Sequence, residues 1–490
     1  MRRFLLWGLM ALCLGWMALP AQVQVQAQDA DIWYWAFDPD DGRLVAYTLE
    51  GQVNTILEGA TDIYLFRAAR IAPDQAIAFV FFNGMWEPLR LNSDSTERLA
   101  EFTPTAEDPT LYLFDQRGDW LVYVNPTPVA VGGVLIRSVL LVNGSTGAVV
   151  PLERVMQEGY VFSEDGTFLR YVIARSDDEE NPQWELVERD LTSGAERVAA
   201  SLPSWMAFAS HSSNGDHWLY LDSGTQTGVR RIILQSITGE ERVLTEIDRD
   251  AMSADTAIMN YRFVDDLLLE YDFNCRENCS YRLMSPQGEE LVRYTVDFPA
   301  LDVRAAWLVN AGGGFLTPSE PELVMMIGEA LFLVKPNAAP VFLGNYDPQH
   351  VTGINSLLSP DRRYLLTVSN TEAAQGYRLW DLATEDVVFE NSPERFFQVF
   401  ARYQQGGVLI SESALDFWVY LDGEVIDLPG VEELDGRSRN YLEILPDGRV
   451  LAYEREQSNV QLGYYDLATG EFVSLVEGAL PLVLENPLRP

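Results

Sequence analysis

Three histidines, three cysteines and a single lysine bound the chemistry this 490-residue chain can carry. His211 and His217 bracket Ser212-Ser213-Asn214-Gly215-Asp216, a turn between two apolar runs. A hairpin there could bring both imidazoles and the Asp216 carboxylate together as a three-ligand zinc or manganese site. Two strand-end histidines around an Asn-Gly turn are the competing reading, and His350 stands alone near Pro348. Asp177-Asp178-Glu179-Glu180, and Asp38, Asp40 and Asp41 before Gly42, put hard oxygen donors close together, as calcium requires. Neither has the spacing of a calcium loop, and solvated hairpin tips share this composition. No cofactor is called for by the sequence, and calcium is the ion these clusters leave open.

Other chemistries find no footing. Lys335 precedes Pro336-Asn337, a hairpin-turn setting, so a phosphate-binding loop has no Gly-Lys-Ser/Thr to stand on. No Gly-x-Ser-x-Gly elbow is present. A carboxylate pair for glycoside hydrolysis would need a set separation across a pocket, and 73 acids offer no way to choose one.

The chain opens with Arg2-Arg3, an apolar run from Phe4 to Leu19, and small residues at Ala21 and Ala27, the plan of a secretory signal over residues 1–27. An uncleaved anchor is the alternative, and no later stretch is long enough to span a membrane. Export leaves Cys275 and Cys279 as an even pair, flanking Arg276-Glu277-Asn278 between two apolar runs. A disulfide across that hairpin tip is expected, closing a very short loop. The formal charge of −39 becomes −41 without Arg2 and Arg3, since residues 1–27 contain no acid. Such a surface repels phosphate backbones and excludes nucleic acid as a partner.

What must position any site is a repeat. Ile71-Ala72-Pro73-Asp74, Phe162-Ser163-Glu164-Asp165-Gly166, Leu358-Ser359-Pro360-Asp361 and Leu445-Pro446-Asp447-Gly448 each lead into a short apolar strand. Degenerate copies stand at Phe114-Asp115, Asn214-Gly215-Asp216 and Val264-Asp265, with two more turns expected at Gly312-Gly313-Gly314 and Gln405-Gly406-Gly407. A second turn, Asp-Leu-x-Thr/Ser, recurs at Asp190, Asp381 and Asp466. A turn and strand repeating every 40 to 50 residues or so reads as a propeller. The fold expected is all-β, a β-propeller of about eight to ten four-stranded blades over residues 31–484, with a short tail at 485–490. Ile32 to Leu57 holds three strands of an incomplete unit, and Leu480 to Leu484 can supply its missing strand. One ring sealed by the two chain ends is preferred, two smaller rings being the alternative. Trp33, Trp35, Trp86, Trp120, Trp205 and Trp218 should mostly fill the layers between blades, with a few left at loop ends for a sugar or a protein partner.

The Ser-Pro-Asp-Gly-like turn, the apolar strand and the Asp-Leu-x-Thr-Gly turn together resemble the PD40 repeats of TolB-like propellers, a WD40-like repeat family. The best copies are Ser359-Pro360-Asp361, Leu445-Pro446-Asp447-Gly448 and Ser163-Glu164-Asp165-Gly166. The small α/β domain that precedes the TolB propeller has no counterpart here, and no hydrolase domain follows, as it does in prolyl-oligopeptidase-type peptidases. The expectation is an exported, monomeric, non-enzymatic scaffold in the periplasm, cell envelope or medium, holding a protein or peptide partner. A glycan-binding or glycan-degrading propeller with its site at the channel mouth is the alternative, and a structural domain of a cell-surface layer a third.

Overall fold

A computed structural model describes residues 32–481 apart from connecting segments, the longest of which are 100–111, 249–258, 297–314, 346–357, 392–398 and 430–437. Every regular element in it is a β-strand, and all neighbours within a sheet are antiparallel. Eight sheets form, and two of them hold two blades each, making ten. The strand Val149–Phe162 is shared by blades 3 and 4, and Asn345 pairs Val368 to join blades 7 and 8.

In chain order, blade 2 runs from Phe66–Ala72 to Thr96–Arg98, and blade 3 from Tyr112–Arg117 into Val149–Phe162. Blade 4 ends at Glu196–Leu202. Blade 5 spans Met206–His211 to Glu241–Asp248, and blade 6 Met259–Val264 to Glu290–Val296. Blade 7 spans Phe315–Leu316 to Val341–Asn345, and blade 8 starts at a Leu358–Leu365 bridge and ends with Asp386–Asn391. Blade 9 spans Val399–Gln404 to Glu424–Leu428, and blade 10 Ser438–Ile444 to Glu471–Glu477.

Blade 1 is built from both ends of the described chain. Trp33–Asp38, Arg43–Thr48 and Val53–Leu57 are its second to fourth strands, and Leu480–Pro481 is its first. Trp33 and Thr48 both direct their amides away from each other, Trp33 to Pro73 O and Thr48 to Gln52 O. Odd residues of that strand therefore bond toward the closing strand, which makes Phe37 and Leu480 the bonded pair. Pro481 faces Ala36 at a non-bonded position, where its missing N–H costs no ladder bond.

Ten apolar clusters close the ring, each bridging two adjacent blades, and the one between blades 4 and 5 also takes in Val131 and Ile136 of blade 3. The decisive one joins blade 1 (Tyr34, Ala36, Val45, Tyr47) to blade 10 (Leu442, Leu445, Leu451, Leu462). One ring of ten blades results, not two smaller rings. Middle strands are covered on both faces by neighbouring blades, so Arg43–Thr48, Phe168–Ala174 and Ala330–Val334 are almost wholly buried and mostly apolar, Arg170 being the charged exception inside the second. Fourth strands such as Val53–Leu57 and Glu471–Glu477 are mostly exposed and form the outer rim. Eight blades carry a register shift between the third and fourth strands, which twists that edge away from pairing with another molecule.

The repeated turns are small hydrogen-bonded modules. In blade 4, Ser163 Oγ donates to Asp165 Oδ1 (2.6 Å), the Thr167 amide donates to the same oxygen (3.0 Å) and the Phe168 amide to Ser163 Oγ (3.0 Å). Blade 8 repeats this with Ser359, Asp361, Arg363 and Tyr364, and blade 5 with Ser212, Asn214, Asp216 and His217. The second turn type works as an Asx turn: Asp190 Oδ1 accepts from the Thr192 and Ser193 amides, and Asp466 Oδ1 from those of Ala468 and Thr469. Antiparallel alternation places both turn types on one face of the ring.

One expected turn moves. Asp115 is buried within its strand, and the turn falls at Gly118-Asp119, between the paired Arg117 and Trp120. Gly312-Gly313-Gly314 lies outside the described residues.

Glycine matters in two ways in blade 10. Gly448 has φ +84° with nothing within 4 Å of an added Cβ, whereas a Cβ on Gly463 would stand 1.9 Å from the Val473 carbonyl oxygen. Gly448→Ala should therefore cost about 1 kcal/mol from backbone strain alone. Gly463→Ala should cost about 3 kcal/mol and disrupt the third-to-fourth-strand pairing. Urea melts of the two variants check the order, and equal costs would count against this register.

Candidate functional site

The three-ligand metal set at blade 5 does not assemble. Arg170 of blade 4 takes Asp216, its Nη1 standing 2.6 Å from Asp216 Oδ1 and 2.7 Å from Asn214 O, while its Nε bonds Glu188. His211 Nδ1 donates to the Ser212 carbonyl at 2.7 Å, and its ring packs on Trp218 at 4.9 Å. Burial pushes the pKa of His217 down. Asp216 serves a seam between blades, so the turn reading of this segment prevails. Among the described residues no three His, Cys, Asp or Glu side chains gather as a metal site.

Asp177 and Asp178 lie outside the described residues. The other acid cluster is a turn: Asp38 Oδ1 accepts from the Asp40 and Asp41 amides, and Oδ2 from Arg43 at 2.7 Å. Cys279 is buried at the head of Cys279–Met284, and Cys275 lies outside the described residues. Lys335 does sit at a turn, where its Nζ bridges Glu322 (3.1 Å) and Glu385, tying blade 7 to blade 8. Trp35 and Trp218 fill seams between blades as expected, while the side chains of Trp86 and Trp205 are outside the described set.

A cleft of 340 Å³ opens where the ring closes, lined by Ile32, Tyr34, Arg70, Ile71, Ala72, Pro73 and Glu443. Leu480–Pro481 pairs Phe37 and Ala36 of blade 1, and the Trp33 end of the same edge meets blade 2. Pro73 O accepts from the Trp33 amide (2.9 Å), and Arg70 Nη1 donates to both Trp33 O and Pro73 O (2.9 Å each). The Arg70 guanidinium also lies over the rings of Tyr34 (5.1 Å) and Trp35 (5.5 Å). Outside this lining, Arg402 of blade 9 donates Nη1 to Leu442 O (2.7 Å), next in sequence to Glu443 of blade 10.

Arg70, Arg402 and Glu443 all stand on first strands, which makes this a site on the channel wall, next to the face that carries the tight turns. Burial pushes the Glu443 carboxyl up against the pull of Arg70 and Arg402, and burial pushes both arginines down. No ion pair within 4 Å joins any of the three, unlike Arg170 with Glu188 or Arg439 with Glu454. Tyr47, buried behind Tyr34 at a ring distance of 5.7 Å, has a hydroxyl without a hydrogen-bond partner. Sequence reasoning missed this set. The signal is positional: Arg70 stands four residues before Asp74, and Glu443 four before Asp447. Val161 and Ser210 hold that place ahead of Asp165 and Asn214.

No family model matches the chain, and none of the curated proteins matches it. Among solved structures it is similar to the β-propeller domain of the Trilobed protease from Pyrococcus furiosus. That match has 13% identity and a TM-score of 0.31, over 76% of this chain and 97% of that one. It is also similar to oligogalacturonate lyase from Vibrio parahaemolyticus, at 13% identity and TM-score 0.34, over 74% and 97% of the two chains. TolB from Acinetobacter baumannii matches at 15% identity and TM-score 0.22, over 53% of this chain and 66% of its own. Likenesses this distant bear on the fold alone, and the ten-bladed ring stands on the strand pairing and seams of this chain.

Proposed function

We propose that this chain is an exported, non-enzymatic propeller that holds a protein or peptide partner at the cleft where its ring closes. The observation that carries the reading is the cleft itself: Arg70 of blade 2 and Glu443 of blade 10 both line it with no ion pair within 4 Å between them. Residues that serve only the fold are satisfied within the fold, as Arg170 and Arg439 are by nearby carboxylates. Arg70 and Glu443 keep hydrogen-bonding capacity for something brought from outside. The walls are rigid first strands anchored by backbone bonds, which suits binding without rearrangement. Export rests on the N-terminal signal, and the Cys275–Cys279 disulfide goes with it. Among the described residues no helix is long and apolar enough to cross a membrane.

Affinity capture with the exported protein from its native envelope or medium tests the reading, with Glu443→Gln as the comparison. One stoichiometric protein recovered by the parent and lost by the variant is the expected result. Recovery of none, together with a thermal shift on adding an oligosaccharide or calcium, would replace the partner reading with the glycan one. Intact mass of the same preparation reports the other two points: an N-terminus after Ala27, and a mass lowered by a single disulfide.

A further inference from the structure

The fourth strands of blades 2 and 9 pair their third strands without the register shift that the other blades carry. In blade 2 the fourth strand is only Thr96–Arg98, too short to template another chain. Blade 9 lacks that protection as well. Its fourth strand, Glu424–Leu428, pairs Asp416–Leu421 without a break, from Leu421 opposite Glu424 to Phe417 opposite Leu428. A full-length strand in unbroken register presents the flat edge that the other blades avoid.

The turn fixes which groups that edge shows. Asp422 and Gly423 both have positive φ, +52° and +86°, the two-residue type I′ turn that makes Leu421 and Glu424 a hydrogen-bonded pair. Bonded pairs then alternate, so Ile426 and Leu428 bond inward, and Val425 and Asp427 direct their N–H and C=O groups outward. Those outward groups have no bond among the described residues. Val425 is 44% exposed, and Glu424 and Asp427 are exposed beside it. Val425 and Asp427 stand opposite Tyr420 and Trp418, on the face turned to blade 8, while Ile426 and Leu428 pack into the seam with blade 10.

Charge says what the edge accepts. Glu424 and Asp427 have no cation within 4 Å among the described residues. A second copy, paired antiparallel about Ile426, would put Val425 opposite Asp427 and Glu424 opposite Leu428, so neither carboxylate would meet a cation. It would also bring a second chain of formal charge −39. A basic segment satisfies both carboxylates and is drawn in by the same field.

We propose that the outer edge of blade 9 takes a fifth strand: an extended basic segment of another polypeptide, paired antiparallel with Glu424–Leu428. Its residues opposite Asp427 and Glu424 are Arg or Lys, and its residue opposite Val425 is apolar and covers that side chain. The closure cleft stands on first strands and this edge on a fourth, so the two sites are tested separately.

The test uses the full exported chain and the peptide acetyl-Thr-Arg-Val-Val-Arg-Thr-amide, titrated by calorimetry. In the proposed register the second valine bonds Val425, and the first valine directs its own amide away from the edge. N-methylation of the second valine should weaken binding at least about tenfold, and N-methylation of the first should leave it like the parent peptide. Val425→Pro removes an outward N–H that no ladder bond uses and should weaken the peptide about tenfold with the far-UV circular dichroism unchanged. Asp427→Asn should weaken it several-fold and flatten its salt dependence. Should Val425→Pro disturb folding, the two N-methyl peptides still decide, because they leave the protein untouched. Equal effects of the two N-methyl groups would reduce the contact to charge alone and overturn the strand. No binding at millimolar peptide would overturn the site. A dimer in analytical ultracentrifugation that Val425→Pro abolishes would overturn the basic partner in favour of a second copy.

Discussion

Replacing Tyr47 with alanine is expected to cost about 4 kcal/mol, the scale of a large aromatic deletion from a packed interior. Tyr47 is 0% exposed and packs against Leu442, Leu445, Leu451 and Leu462 across the seam between blades 1 and 10. That seam differs from the other nine. Every other interface joins blades adjacent in sequence, whereas this one joins the first blade to the last. Weakening it opens the ring into an arc, so the variant should also show a broader urea transition and a lower m-value. Leu366→Ala, in the seam between blades 8 and 9, should cost about 3 kcal/mol with m unchanged. Tyr47→Phe sharpens the comparison. The hydroxyl is buried without a partner, and removing it should leave stability equal or raise it by up to about 1 kcal/mol. Urea denaturation followed by far-UV circular dichroism measures all three. A Tyr47→Ala cost below about 1 kcal/mol would mean the seam is not a packed interface.

The ring was legible because its repeats carry their information locally. The Ser-x-Asp and Asp-x-x-Thr turns are written in consecutive residues, and each folds by bonding its own backbone, as Asp165 and Asp190 do. Spacing then counts the blades, and the apolar run after Ala479 betrays the closing strand. Where a turn relies on geometry more than on such side chains, the reading slips. The Arg117 to Trp120 turn needs only Gly118, so the nearby Asp115 misleads. The cleft was not legible at all. Tyr34, Arg70 and Glu443 come from blades 1, 2 and 10, and only closure of the ring brings them together. In the sequence, Arg70 is one among 33 arginines, and nothing local marks it out. The His211–Asp216–His217 set fails for the opposite reason. Its residues are close in the chain, but Arg170, 46 positions away from Asp216, decides what that carboxylate does.

Breaking the ion pair inside blade 10 should be the other large effect. Arg439 and Glu454 face each other across the first two strands, with side chains 7% and 6% exposed. The guanidinium donates through Nε (2.8 Å) and Nη2 to Glu454 Oε1. It also lies over the rings of Phe472 (5.0 Å) and Tyr465 (5.2 Å). Arg439→Met leaves a carboxylate buried against aromatic rings and should cost about 3 kcal/mol. Glu454→Gln keeps an acceptor and should cost less, about 1.5 kcal/mol. Replacing both, Arg439→Met with Glu454→Leu, removes the desolvation penalty along with the attraction. It should recover most of the loss, giving a double-mutant cycle with strong coupling. The exposed Arg293–Glu290 pair, at 51% and 37%, gives the contrast: its removal should leave the unfolding midpoint nearly unchanged, and salt should mask what effect there is. Additive costs at Arg439 and Glu454 would show that the two charges are solvated separately.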